Sequence, residues 1–198
     1  MNRQKQHIAT VALMLNLGVA GIYAQHKPSR GSPEVNMTFS GTFVPSTINL
    51  QPGTDTDDEN FAGNGTLGPF TVRNLRADTV SPQPSSTCSP GNAPPRLYFP
   101  SVAGAGVFRF QDGSLLTVRL TQGAACIDLT AGVGHFTEIY QITGGTGRFK
   151  GASGTLTLTD TVLPVLFDAS NNPQFFSVTG EITGTVFGVA IGEEDERK

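Results

Sequence analysis

Two acidic residues occupy positions where an alternating strand pattern otherwise places apolar side chains. Glu138 stands between Phe136 and Tyr140 in its alternation, and Asp160 shares its alternation with leucine and valine. A carboxyl group in an apolar pocket has a raised pKa and can serve as a general acid or base. Glu138 and Asp160 are therefore candidate catalytic residues for a cyclase or isomerase that needs no cofactor. The candidate ligand-binding residues are Phe136, Glu138, Tyr140 and Asp160.

The same residues allow structural interpretations, which the sequence leaves open. Each acid could be solvated near a rim, or could pair with Arg109 or Arg119. The Tyr140 hydroxyl could donate a hydrogen bond to a ligand oxygen, or it could lie at the protein surface. His135 has no second histidine near enough to form a metal pair. We therefore expect no metal site and no cofactor.

The segments that must position these groups have the pattern of β-strands. Residues 35–44, 135–143 and 155–162 alternate with period two, and Asp112-Gly113 marks a hairpin. About eight to ten such segments and no amphipathic helix predict an all-β fold. We expect a single antiparallel β-barrel of about eight strands, because closure removes exposed sheet edges.

Residues 45–65 are predicted to form a long loop that carries acidic residues. The stretch 54–59 (TDTDDE) resembles the start of a calcium loop. It lacks the glycine at the sixth position and the glutamate at the twelfth that such a loop requires. The sequence therefore predicts a solvated loop at this point.

Residues 142–162 (ITGGTGRFKGASGTLTLTDTV) could be a phosphate-binding loop or a turn between strands. A Walker loop requires Ser or Thr directly after its lysine and a helix to follow. Here Gly151 follows Lys150, and strand-like alternation comes next. The run is therefore predicted to be a glycine-rich turn that joins two neighbouring strands.

The run ITGGTGRFKGASGTLTLT, residues 142–159, resembles a segment of the allene oxide cyclase and dirigent superfamily of β-barrels. In that superfamily a strand ends in G-G-T-G-R-F, and a second G-x-x-G leads into the next strand. The flanking GVGHFTEIYQITG and FSVTGEITGTVFG match the neighbouring strands, so the likeness spans residues 107–188. It implies the barrel fold and a bacterial-type relative. Members of the superfamily include plant cyclases, plant dirigent proteins that steer phenoxy-radical coupling, and bacterial relatives, several of unknown role. The resemblance transfers no catalytic residue.

The N-terminus has the layout of an exported protein. Residues 1–24 are basic, then apolar, then small, which is typical of a signal peptide; an uncleaved anchor is the alternative. The apolar run is too short for a membrane span, so we expect no transmembrane span in the mature chain. We interpret residues 25–33 as a linker, 34–191 as the barrel domain and 192–198 as a charged tail.

Cys88 and Cys126 are predicted to form a disulfide in an oxidising compartment, periplasmic or extracellular.

Charge narrows the choice of partner. Removal of residues 1–24 takes away Arg3 and Lys5 and no acid, so the formal charge of −3 becomes more negative by two. A mildly acidic chain lacks the basic stripe that a nucleic acid requires. We expect an exported barrel that binds a small apolar ligand or acts as a non-catalytic scaffold. The alternatives are a cofactor-free cyclase or isomerase, and a cell-surface interaction protein that uses loops 45–65 and 81–95. A homo-oligomer is compatible with the sequence.

Overall fold

The computed structural model describes residues 34–85, 87–88 and 96–190 as a closed antiparallel β-barrel. Its strands, in chain and spatial order, are β1 (Glu34–Ser46), β2 (Thr54–Gly65), β3 (Phe70–Thr79), β4 (Leu97–Phe110), β5 (Leu115–Asp128), β6 (Val133–Gly145), β7 (Ser153–Phe167) and β8 (Pro173–Phe187). The predicted signal peptide 1–24, linker 25–33 and tail 192–198 lie outside the described residues.

Closure comes from the pairing of the first strand with the last. β1 is hydrogen-bonded to β2 on one side and to β8 on the other, with Phe39 opposite Gly63 and Gly180. Every strand therefore has two neighbours and none is an edge. The predicted all-β fold, a single antiparallel barrel of about eight strands, is confirmed.

The prediction of a long loop over residues 45–65 was wrong. Residues 54–65 form β2, and the acidic residues take part in the ladder: Asp57 lies opposite Arg76, and Glu59 lies opposite Asn74. Both acids face the barrel interior, where polar partners from β3 meet them. An acidic, apolar-poor segment forms a strand here because its neighbour supplies those partners.

The glycine-rich run forms the predicted turn. A single 3₁₀ turn, Gly147–Phe149, joins β6 to β7, and Tyr140 lies opposite Leu156 in the ladder that follows. Gly147 has a φ of 58°, which favours glycine, and a Cβ at this position would collide with Ser114. The Ser114 hydroxyl instead accepts a hydrogen bond of 3.2 Å from the Arg148 backbone N–H.

The two ends of the barrel differ. We call the end where β1, β3, β5 and β7 finish the open end, and the opposite end the closed end. Phenylalanine rings fill the closed end, with ring centroids 4.6 Å apart for Phe110 and Phe149 and 5.6 Å apart for Phe70 and Phe108. Tight packing leaves this half of the interior to apolar side chains. The polar interior residues lie above it.

A disulfide joins Cys88 to Cys126, as the cysteine pair predicted. Their Cα atoms are 5.3 Å apart, and 38 positions separate the two residues in the chain. The bond ties the segment after β3 to β5 near the open end. Within the described residues, no helix is both long and apolar enough to cross a membrane.

Candidate ligand-binding site

A single buried arginine organises the polar centre of the barrel. Arg76 lies on β3, and its side chain is 1% exposed. Its guanidinium contacts four carboxylates: Nη1 lies 2.8 Å from Glu59 Oε1 and 2.8 Å from Glu138 Oε1, Nη2 lies 2.8 Å from Asp57 Oδ2, and Nε lies 3.1 Å from Asp78 Oδ2. We call these five residues the Arg76 cluster. Its members come from β2, β3 and β6, so it ties three strands together.

Aromatic rings also contact the guanidinium. The Arg76 Cζ atom lies 4.2 Å from the ring centroid of Phe136 and 5.6 Å from that of Phe43. A guanidinium over a ring face is attracted by the negative face of the π-system, most strongly where water is excluded. Rings and carboxylates together therefore replace the water that Arg76 lost on burial.

A second hydrogen-bond network extends from the cluster towards the closed end. Asn74 Nδ2 donates to Glu59 Oε2 and to the Tyr140 hydroxyl, both at 2.7 Å. The Tyr140 hydroxyl donates in turn to Glu138 Oε2 at 3.0 Å. Burial, and then the charges of Glu138 and Glu59, raise the pKa of Tyr140 well above its usual value. Tyr140 is therefore a neutral donor that holds Glu138 in place.

Asp160 approaches the same region from β7. It lies opposite Phe136 in the ladder, and it is 8% exposed. Its Oδ1 finds no hydrogen-bond partner among the described residues. Gly180 on β8 leaves space for the Asp160 side chain, because a Cβ at position 180 would lie 2.7 Å from Asp160 Cβ and from the Phe39 ring. One oxygen of the carboxyl is thus buried without a hydrogen-bond partner.

The excess of acids over bases sets the protonation of the site. Burial, with smaller contributions from Asp78 and Glu138, raises the pKa of Asp57 to about 6. Burial, and then the charge of Glu138, raises the pKa of Asp160 to about 7. Burial alone would lower the pKa of Arg76, but its four carboxylates together raise it. The guanidinium therefore stays charged, and some of the acids hold protons near neutral pH.

A cavity of about 660 Å³ opens above the cluster at the open end. Strand ends supply an apolar wall, which includes Phe43, Phe99, Ile127, Phe136, Val162 and Phe176. The rings of Phe43 and Phe176 stack with centroids 4.3 Å apart. Asp57 and Asp78 line the same cavity, so its lower part carries two carboxylates of the Arg76 cluster. An apolar wall with a few convergent polar groups is the usual form of a small-molecule site.

The structure brings together the four residues that the sequence singled out. Phe136 lines the cavity, whereas Glu138, Tyr140 and Asp160 lie beside it and outside its lining. The partner of Glu138 is Arg76, not Arg109 or Arg119 as considered from the sequence. The Tyr140 hydroxyl is buried in the network and does not reach the surface. Among the described residues, no group of His, Cys, Asp and Glu could hold a metal ion.

Sequence reasoning missed Arg76, Asp57, Glu59 and Asp78. The assignment of residues 45–65 to a loop removed two of the acids from the interior. The available signal was the alternation of Asn74, Arg76 and Asp78 at every second position, which places them on one face of β3.

The fold and site define a closed eight-stranded barrel with an apolar cavity above a buried arginine–carboxylate cluster. Solved structures similar to this chain include two that share 13% identity with it. One is the pterocarpan synthase dirigent protein GePTS1, with a TM-score of 0.40 and coverage of 92% of this chain and 100% of that one. Another is the pterocarpan synthase dirigent protein PsPTS1, with a TM-score of 0.42 and coverage of 81% of this chain and 97% of that one. The pairing of the eight described strands establishes the barrel independently of these similarities. No family model and no curated protein matches the chain.

Arg76→Met leaves the carboxylates of the cluster buried without their cation. We expect the free energy of unfolding at pH above 7 to fall by about 3–5 kcal/mol, as when one partner of a buried pair is removed. The loss should shrink at lower pH, where the acids take up protons. Urea unfolding followed by circular dichroism measures both effects.

Arg73→Met is the matched control, because Arg73 pairs with Asp58 at 2.7 Å while its side chain is 72% exposed. Its removal should leave the free energy of unfolding almost unchanged. Equal losses for the two variants would contradict the role assigned to the buried cluster.

Asp160→Asn should change how stability depends on pH. A raised acid pKa means that the folded chain holds the Asp160 proton more tightly than the unfolded chain, so the contribution of Asp160 to the free energy of unfolding falls as pH rises from about 4 to about 7. The variant lacks this loss. Between about pH 4 and pH 7, the free energy of unfolding of the variant should therefore rise relative to that of wild type by on the order of 4 kcal/mol. The groups that face Asp160, namely Glu138, Arg76 and Asp78, are present in both chains.

Asp168→Asn provides a control of opposite sign. The backbone N–H and side-chain amide of Asn172, and then the backbone N–H of Ser170, donate to the Asp168 carboxylate and lower its pKa. Its stabilising effect is therefore present near neutral pH and is lost as pH falls, and the substitution should remove it. Parallel pH profiles of unfolding for wild type and Asp160→Asn would rule out the protonation assigned to Asp160.

Proposed function

We propose that this protein is an exported barrel that binds one small, ring-bearing apolar molecule at its open end, without catalysing its conversion. The observation that carries the proposal is the cavity of about 660 Å³. That volume lies within the range of about 300–1,000 Å³ that is usual for small-molecule sites.

The chemistry of the wall supports a flat, apolar occupant. Phe43 stacks on Phe176, and Phe136 stands edge-on to Phe43 with ring centroids 6.4 Å apart. An aromatic ligand could stack on these rings and gain area burial in addition to ring contacts. The two carboxylates at the bottom would fix its orientation.

The rigidity of the site supports binding as well. The cavity is built on the ends of paired strands, and the Arg76 cluster connects three of them beneath it. A site that is formed before the ligand arrives loses little conformational entropy on binding. Export is supported by the Cys88–Cys126 disulfide and by the pattern of residues 1–24.

Val133→Trp should block the cavity. Val133 lines it, and an indole there would occupy space that the ligand needs. We expect the wild-type chain to bind the neutral apolar dye N-phenylnaphthylamine saturably with one site. The variant should bind it at least about tenfold more weakly. Dye fluorescence, which rises on transfer to an apolar site, measures both affinities.

Val107→Trp is the matched control, since Val107 is exposed on the outer wall. The natural chain contains no tryptophan, so each variant carries a single indole. The proposal fails if the wild-type chain gives no saturable dye binding, or if both variants bind the dye like wild type.

A second candidate function is cofactor-free acid–base catalysis on a molecule in the same cavity. The observation that favours it is Asp57, a cavity-lining acid with a pKa raised to about 6. Such an acid can accept and return a proton near neutral pH. Glu138 and Asp160 remain candidates behind it: Glu138 shares Arg76 with Asp57, and its charge raises the pKa of Asp57.

β-Tetralone, a bicyclic ketone with exchangeable α-hydrogens, tests this candidate. If Asp57 removes and returns an α-proton, wild type should accelerate deuterium exchange, and Asp57→Asn should lower that rate about a hundredfold without loss of binding. Glu138→Gln should also lower the rate while binding persists. NMR of the ketone measures exchange and binding together, and wild-type exchange at the buffer rate would exclude the candidate.

A further inference from the structure

We infer that, among ring-bearing ligands, the cavity prefers one whose apolar ring also carries an ammonium group, with the ring against the phenylalanine wall and the ammonium on the carboxylates below it. The inference rests on the proposed ligand-binding function and names the class of ligand. It starts from a charge imbalance: in the Arg76 cluster and at neighbouring Asp160, one guanidinium faces five carboxyl groups.

The first observation is an acceptor without a donor at the cavity. Asp78 lines the cavity and uses its Oδ2 to bind Arg76 Nε at 3.1 Å. Its Oδ1 is buried and has no hydrogen-bond partner among the described residues. A buried acceptor that lacks a donor is unfavourable, so a rotation of the Asp78 carboxyl that brings this oxygen to a ligand N–H group is favoured.

The second observation is independent of the first and comes from β7. Asp160, more than nine-tenths buried, also leaves its Oδ1 without a partner. Arg76 makes no hydrogen bond to it, since four of the five guanidinium N–H groups already contact carboxylates from β2, β3 or β6. The region is therefore rich in acceptors compared with the donors of Arg76.

The aromatic wall adds to this preference. Phe43, Phe136 and Phe176 line the cavity, and the first two already lie within 5.6 Å of the Arg76 guanidinium. Ring faces attract cations, and desolvation strengthens that attraction. A ligand carboxylate or phosphate would instead meet Asp57 and Asp78, so anionic ligands are disfavoured.

The excess of carboxyl groups over the single guanidinium has a competing explanation, namely that some of these groups are protonated and neutral. If the carboxyl groups simply hold their own protons, a neutral hydroxyl would satisfy them as well as an ammonium. An ammonium differs because it brings three donors and a full charge, and a hydrogen bond between two charged groups is roughly twice as strong as a neutral one.

Three naphthalene compounds with the same ring separate these accounts: naphthylmethylamine, naphthylmethanol and naphthoic acid. Calorimetric titration of the full chain at about pH 7.5 keeps the amine protonated and the acid ionised. We expect the amine to bind at least about tenfold more tightly than the alcohol, and the acid to bind most weakly.

Asp78→Asn preserves the shape of the side chain and removes its charge. It should reduce the affinity for naphthylmethylamine about tenfold and leave that for naphthylmethanol unchanged. Asp58→Asn makes the same change of net charge on the outer wall, where Asp58 pairs with Arg73. It should alter neither affinity.

The outcomes separate the inference from the function on which it rests. If neither the amine nor the alcohol binds, the proposed function fails. If both bind wild type equally, or the alcohol binds more tightly, the amine inference is overturned and ligand binding stands. The comparison of the three compounds needs only the wild-type chain, so it decides the matter even if Asp78→Asn does not fold.

Discussion

The contact of the Arg76 guanidinium with four carboxylates is the constraint on which the rest of the interior depends. Buried charges are tolerated only when each finds a partner of opposite sign and hydrogen bonds for its remaining atoms. Here the partners come from β2, β3 and β6, so the ladder must hold these strands in one register. The cluster also separates a packed, phenylalanine-filled half of the barrel from the cavity above it.

This division gives several side chains two roles. Phe136 lines the cavity on one side and covers the guanidinium on the other. Asp57 and Asp78 bind Arg76 and also reach the cavity, so whatever binds there meets the charge balance of the whole cluster. Tyr140 and Asn74 face the closed end and hold the carboxylates from below. Binding and stability are therefore linked through the same few contacts.

The sequence predicted the parts of this arrangement that rest on local pattern. Alternation along β6 and β7 placed Phe136, Glu138, Tyr140 and Asp160 on inward faces, and the paired cysteines predicted the disulfide. The sequence pattern could not predict β2. From Thr54 to Asn60, polar residues occupy both faces of this strand, so no period-two alternation of apolar and polar residues is visible. The partner of Glu138 was equally out of reach, since Arg76 lies 62 residues away and the two meet only when the barrel closes.

The central claim is that the Arg76 cluster forms the lower boundary of a ligand cavity at the open end. A crystal structure of the chain with bound naphthylmethylamine tests it most directly. The account predicts the naphthalene ring among Phe43, Phe136 and Phe176, the nitrogen beside Asp78, and all four carboxylates still on Arg76. A ring bound on the outer wall, or an Arg76 side chain turned out to solvent, would contradict it.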